Sequence, residues 1–138
     1  MMKECPTFTA TIYCGLKEGY DGPTHTYQEV ADLVQPFVDD VGLCVAATQT
    51  EFFYTNGREP GVIVGLINYP RFPKEIDAIR ETAIELARRL RVAMGQIRVS
   101  VVFPDYTKTI GKEDESNVAT NGSATCPLPE HPDAGHPQ

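Results

Sequence analysis

The chain has 138 residues, 41% of them hydrophobic, and a formal net charge of −7. That length gives one domain of ordinary size and excludes two, while the acidic balance argues against nucleic-acid polymers and anionic membranes, whose phosphates need local positive charge. No apolar run approaches ~18 residues, which argues against a transmembrane helix, and the opening Met1-Met2-Lys3-Glu4-Cys5-Pro6 lacks the apolar stretch of a secretion signal, so a cytoplasmic protein is expected.

Residues 8–16 alternate, with Phe8, Ala10, Ile12 and Cys14 on one face and Thr9, Thr11 and Tyr13 on the other, which predicts a strand. A glycine-rich loop, residues 17–25, follows. Thr26 and Glu29 then have the spacing of a capping box, in which a hydroxyl and a carboxylate satisfy the first amides of a helix. Val30, Leu33, Val34, Phe37, Val38 and Val41 recur at helical spacing up to Gly42. Pro36 removes one donor inside this helix and predicts a kink or an early break.

Residues 43–54 and 62–68 read as the second and third strands. The third is apolar on both faces, as a central strand covered on both sides would be. Residues 55–61 join them, and Asn56-Gly57 marks a hairpin with a loop of medium length. After the turn Tyr69-Pro-Arg-Phe-Pro73, a second helix is expected over residues 74–94, with Ile76, Ile79, Ala83, Leu86 and Leu90 as its core stripe. Glu75 and Asp77 near its start and Arg88, Arg89 and Arg91 near its end suit the macrodipole, and Gly95 suits its C-terminal cap. Residues 97–103 form the fourth strand, closed by Pro104. Residues 111–138 carry one lysine and five acids and are rich in proline. Such a tail buries too little apolar surface to offset its ordering entropy and is expected to be disordered. The cysteines, Cys5, Cys14, Cys44 and Cys126, show no metal-binding spacing with each other or with a histidine. They are expected to be free thiols, and no metal or cofactor is assigned.

The order β-α-β-β-α-β is the split βαβ of ferredoxin-like folds. The expected fold is α+β: a four-stranded antiparallel sheet over residues 1–110 with two helices on one face. The opposite face, with Thr9, Thr11, Tyr13, Ala46, Thr48, Ile63 and Ile67, is then a surface for self-association. This topology brings the glycine-rich loop, the hairpin and the end of the second helix to one end. Lys17, Tyr20, His25, Arg58, Arg88 and Arg91 gather there, with Thr26 at the start of the first helix, whose amides accept anions. The functional reading is a site for an anionic or nucleotide-like small molecule. The alternative is that the arginines only complement the helix end, Gly19 and Gly22 only turn the chain, and Arg58 is solvated. No catalytic residue is assigned. Glu51 and Glu59 flank the hairpin, and Asp21 and His25 share a loop in which acid–base work is conceivable, yet no nucleophile stands beside them. Tyr27, Phe52, Phe53 and Tyr54 have the chemistry to stack a ring or simply to pack.

The element order, with a long hairpin between the second and third strands, resembles the PII and CutA-like small oligomeric proteins. In PII-type proteins the corresponding hairpin carries a regulatory loop, and nucleotides bind between subunits. That likeness is architectural and transfers no residue. Ile12-Tyr-Cys-Gly-Leu16, Gln35-Pro-Phe37, Arg58-Glu-Pro60 and Gly95-Gln-Ile-Arg-Val99 resemble a family of small uncharacterised bacterial or phage α+β proteins over about residues 8–103. Together these readings favour a non-enzymatic, oligomeric small-molecule-binding protein, regulatory or sequestering. One rival is a viral or bacterial structural or interaction protein assembling through its open sheet face. Another is a small enzyme using Tyr20, Asp21 and His25 in the loop after the first strand.

Overall fold

The computed structural model describes residues 2–116. The elements are β1 (Thr9–Gly15), α1 (Tyr27–Val41), β2 (Val45–Tyr54), β3 (Gly57–Ile67), α2 (Ile76–Ala93), β4 (Arg98–Val102), β5 (Thr107–Gly111) and a single turn of helix, α3 (Glu113–Ser116). The strands form one antiparallel sheet in the order β2-β3-β1-β4-β5. Register sorts the faces. Ala10, Ile12 and Cys14 stand opposite Leu66, Val64 and Val62, and Ile12 stands opposite Val101. All of these are buried. They meet Ile79, Ala83, Leu86 and Leu90 of α2 and Val30 and Phe37 of α1 in one core. Each large side chain so buried contributes about 1.5–3 kcal/mol, and this stripe is what holds α2 against β1 and β4. The core lies on one face of the sheet. On the other, Thr9, Tyr13, Ala46, Thr48 and Ile67 are exposed and Thr11, Ile63 and Gly65 half-buried.

Local signals account for the helices. Thr26 accepts from the Glu29 amide at 3.2 Å while Glu29 accepts from the Thr26 amide at 3.0 Å, so the capping box is formed. Gly42 ends α1 in the left-handed region, at φ 75°. Pro36 neither breaks nor shortens this helix, which continues to Val41. Its one missing donor is outweighed by Phe37, buried in the core, and by Val34 and Val38 packed against it.

Two expectations need correction. The sheet has five strands and not four: Thr107–Gly111 pairs with β4 along its whole length. Its Thr-Lys-Thr-Ile-Gly sequence carries one large apolar residue, Ile110, which is the part that enters the core. Arg80 of α2 pins the turn between β4 and β5. Its guanidinium bonds Asp105 through two nitrogens, at 3.0 and 2.7 Å, and lies 4.7–5.2 Å from the ring centres of Phe8, Phe103 and Tyr106. The hairpin also has no medium-length loop. Thr55-Asn56 is a two-residue turn with Asn56 left-handed at φ 63°, and β3 is paired from Gly57 onward. Gly57, Pro60 and Gly61 hide that half of the strand in the sequence. Pro60 has no donor, but its carbonyl accepts from the Leu16 amide at 3.0 Å. Residues 117–138, most of the predicted tail, lie outside the described residues.

Candidate functional site

At one end of the uncovered face, β1, β3 and the approach to β4 bring together residues far apart in sequence. Gly15 stands opposite Gly61. Glu59, two residues before Gly61, projects to the same face. Yet Glu59 is only 5% exposed and Gln96, just before β4, only 4%. Both reach the space above Gly15. A β-carbon there would lie 2.9 Å from Glu59 Oε2 and 2.8 Å from Gln96 Oε1. Gln96 Nε2 donates to the carbonyls of Lys17 and Met94, both at 3.0 Å. Those two acceptors fix the amide with its oxygen turned toward Gly15. Arg91 secures the same residue from below, its Nη1 donating to the Gln96 carbonyl at 2.9 Å. Two acceptor oxygens therefore converge over a glycine.

Aromatic rings wall this end. Tyr13 and Phe52 meet with centroids 6.3 Å apart at 57°. The Phe52 ring lies over Gly61 and the Tyr54 ring over Gly57, and a side chain at either glycine would collide with the ring. Burial pushes the Glu59 carboxyl above its ordinary range, and Lys17 pulls it partly back. Burial also raises the Tyr54 phenol, with Glu59 and then Tyr20 adding to the effect. Lys17, Tyr20, Tyr54 and Glu59 thus share one electrostatic neighbourhood. Cys14 beneath is pushed up to about 12, first by burial and then by Glu59. It is a packed thiol and no nucleophile.

The loop over this end is tightly tied. Lys17 bridges Thr24, the Glu18 amide donates to the Pro23 carbonyl at 2.9 Å, and the His25 amide to the Leu16 carbonyl at 2.7 Å. His25 joins the loop to α1: its Nδ1 lies 2.7 Å from Glu29 and its Nε2 lies 2.5 Å from Glu18. Two carboxylate partners require both ring nitrogens to donate. The pKa is accordingly raised, by Glu29 first and Glu18 second.

The predicted basic end is rearranged. Lys17 and Tyr20 are beside Glu59 and Tyr54, and His25 and Thr26 are occupied in loop and cap. Arg58 is exposed and faces away from Glu59, its strand neighbour, with Glu51 3.3 Å away. Arg88 lies 3.6 Å from Glu85 on the surface of α2, and Arg91 is buried beneath Gln96. These three arginines answer to protein acceptors, and two acceptor oxygens in the same region have the chemistry to meet a donor. Glu59 was visible only as a flank of the hairpin, and Gln96 not at all. The signal that marks them is the pair of glycines, Gly15 and Gly61, inside strands. Among the described residues no group of three or more His, Cys, Asp or Glu is arranged to hold a metal, and no helix is long and apolar enough to cross a membrane.

No protein-family model and no curated protein sequence matches the chain. Two solved structures share its fold. One is a phage SAM lyase in complex with S-methyl-5'-thioadenosine, 20% identical, with a TM-score of 0.63 over 82% of this chain and 95% of that one. The other is phage SAM lyase in the apo state, also 20% identical, with a TM-score of 0.65 over 82% of this chain and 97% of that one. Both neighbours are an enzyme. That counts against the reading of a non-enzymatic binding protein, and one neighbour of the same fold holds a nucleoside-like ligand.

Proposed function

We propose that the chain is a lyase acting on a nucleoside sulfonium, S-adenosylmethionine, and releasing S-methyl-5'-thioadenosine. The observation that carries this is the pair of buried oxygens, Glu59 Oε2 and Gln96 Oε1, meeting over Gly15 beside aromatic rings. A sulfonium is a cation with an apolar shell. A carboxylate attracts its charge, and ring faces attract it in the same sense. Tyr13 and Phe52 also offer surface on which a purine can stack. When the carbon–sulfur bond breaks, its electron pair goes to sulfur and leaves a neutral thioether. The four-carbon fragment, electron-poor at the broken bond, is quenched by losing a proton or by closing on its own carboxylate. Glu59, basic for a carboxylate because it is buried, holds the cation in register and suits the acceptor role if a proton leaves. Gln96, locked by two hydrogen bonds and by Arg91, supplies a preorganised dipole.

Within this reading, β1–β4 with the two helices form a ferredoxin-like unit to which β5 adds an edge, as the inner placement of β1 and β3 supports. The rest of the uncovered face, with Ile63 and Ile67, joins copies of the chain. A phage-type accessory enzyme is consistent with both neighbours.

The test is incubation with S-adenosylmethionine and chromatographic detection of S-methyl-5'-thioadenosine. The wild-type protein is expected to release it. Glu59→Gln, which keeps the shape and removes the charge, is expected to lose about 10²-fold or more in rate while retaining its circular-dichroism spectrum. Absence of the product with the wild-type protein sinks the proposal.

A further inference from the structure

We infer that Arg98 recognises the carboxylate of the ligand's amino-acid end, which makes it the residue that separates substrate from product. The inference rests on the nucleoside-sulfonium reading of the site. Its ground is the register of the uncovered face. Tyr13 stands opposite Ser100, so two residues further along each strand Gly15 lies level with Arg98 and both project to the same face. On its other side Arg98 stands opposite Gly111. It is therefore flanked across the sheet by two glycines, with no lateral side chain from either strand. Arg98 is exposed. It is also the one arginine among the described residues without an ion pair, hydrogen bond or ring contact. Arg58, Arg80, Arg88, Arg89 and Arg91 each hold an acid or a carbonyl, and Arg71 lies over Phe72.

The spacing suits a ligand with both charges. Glu59 starts from β3 but its carboxylate already lies above Gly15 of β1. The distance left to β4 is one strand spacing, about 4.8 Å. Four bonds separate a methionine-type sulfur from its carboxylate carbon, an extended reach of about 5 Å. A sulfonium at Glu59 thus brings the carboxylate to Arg98, whose planar fork accepts it through two nitrogens. Gln96 Oε1, which also lies over Gly15, is an acceptor for the ammonium group on the same carbon. S-methyl-5'-thioadenosine has neither the carboxylate nor the positive sulfur, so cleavage removes both contacts and the product leaves. The carboxylate of Glu113 lies over Gly111, the cross-strand neighbour of Arg98, and is the protein group against which the assignment is tested.

The experiment measures calorimetric binding of two stable probes, S-adenosylhomocysteine, which keeps the carboxylate, and S-methyl-5'-thioadenosine, which lacks it. Arg98→Ala is expected to weaken S-adenosylhomocysteine at least tenfold, the scale of a lost hydrogen bond to a charged group. S-methyl-5'-thioadenosine should stay within about twofold, and Arg98→Lys should recover part of the loss because it keeps the charge without the fork. If the wild type binds both probes and Arg98→Ala weakens both alike or neither, the assignment of Arg98 is overturned while the nucleoside reading stands. A matching loss of stability in Arg98→Ala and Glu113→Gln, with no preference between probes, shows a structural ion pair and also overturns it. If the wild type binds neither probe, the nucleoside reading itself falls, and the assignment with it.

Discussion

Replacing Gly15 by alanine tests the geometry of the site with one carbon. Gly15 is in a regular strand and its φ is not positive, so alanine meets no backbone strain there. The whole effect comes from contact. The added carbon would lie 2.8 Å from Gln96 Oε1 and 2.9 Å from Glu59 Oε2, with the Glu59 carboxyl carbon at 3.3 Å. Gln96 cannot retreat without breaking its bonds to the Lys17 and Met94 carbonyls, so Glu59 must be the group that moves. Overpacking of this kind costs about 1–3 kcal/mol. For a domain of about this size, each 1 kcal/mol lowers Tm by roughly 4–8 °C, so a fall of about 5–20 °C is expected. On the proposed activity, release of S-methyl-5'-thioadenosine should fall at least tenfold, because a displacement near 1 Å at a reacting centre can cost about 10²-fold. Gly65→Ala is the internal control. It lies on the same face, its β-carbon would meet nothing within 4 Å, and its φ is also ordinary. Within the chain it should gain about 0.4–1 kcal/mol by restricting the unfolded state. Thermal melts and product release of the two variants are measured side by side. If Gly15→Ala matches the wild type in both, the two oxygens do not converge over Gly15 and the reasoning fails.

The two titrating groups give further predictions of opposite use. Burial holds the Glu59 pKa above its ordinary value, so the folded state takes up a proton more readily than the unfolded one. The stability linked to Glu59 is then full below the ordinary carboxylate pKa and is lost as pH rises through the raised value. Glu59→Gln should be more stable than the wild type at neutral pH, with the gap closing toward acid in denaturant titrations; a gap that widens toward acid contradicts a raised pKa. His25 is also raised, by Glu29 and Glu18, and its contribution is full below about 6.5 and lost as pH rises through the folded value. Glu29, lowered chiefly by His25, contributes above its ordinary value and loses that contribution as pH falls through its lowered one. The stability gap between wild type and His25→Gln should therefore be widest between the carboxylate range and neutrality and should shrink at higher pH. A pH-independent gap would show that the imidazole acts by packing alone. In the same variant, amide exchange in residues 17–25 should quicken, since the tie from loop to α1 is removed.

Local rules made much of the fold legible. Alternation in residues 8–16 places Ala10, Ile12 and Cys14 inward, as they are. The Thr26–Glu29 box starts α1 and Gly42 stops it, and the stripe of Ile79, Ala83, Leu86 and Leu90 names the buried face of α2. Ile76, placed in that stripe by spacing, is exposed because it is the first residue of the helix. What escaped depends on partners distant in sequence. β5 has one core residue and owes its place to β4 and to the Arg80–Asp105 contact. The partners of the arginines escaped for a related reason. Arginines were counted along the chain, but Glu51, Glu85 and the Gln96 carbonyl that engage three of them become neighbours only through strand pairing, a helical turn and a helix cap.

The places where sequence rules failed are not scattered. A proline inside β3, glycines at positions 15, 57 and 61 within strands, and a buried carboxylate and amide all fall at one end of the sheet. Each is unfavourable for a strand taken alone: proline removes a ladder donor, glycine weakens the strand, and a buried carboxylate is held away from water. A scaffold has no need of that combination, and the rest of this sheet does without it. Departures from local preference that converge on one spot mark the spot where something other than stability was required. Here they bring the oxygens of Glu59 and Gln96 together where a side chain of residue 15 would stand, and leave an arginine exposed one strand away.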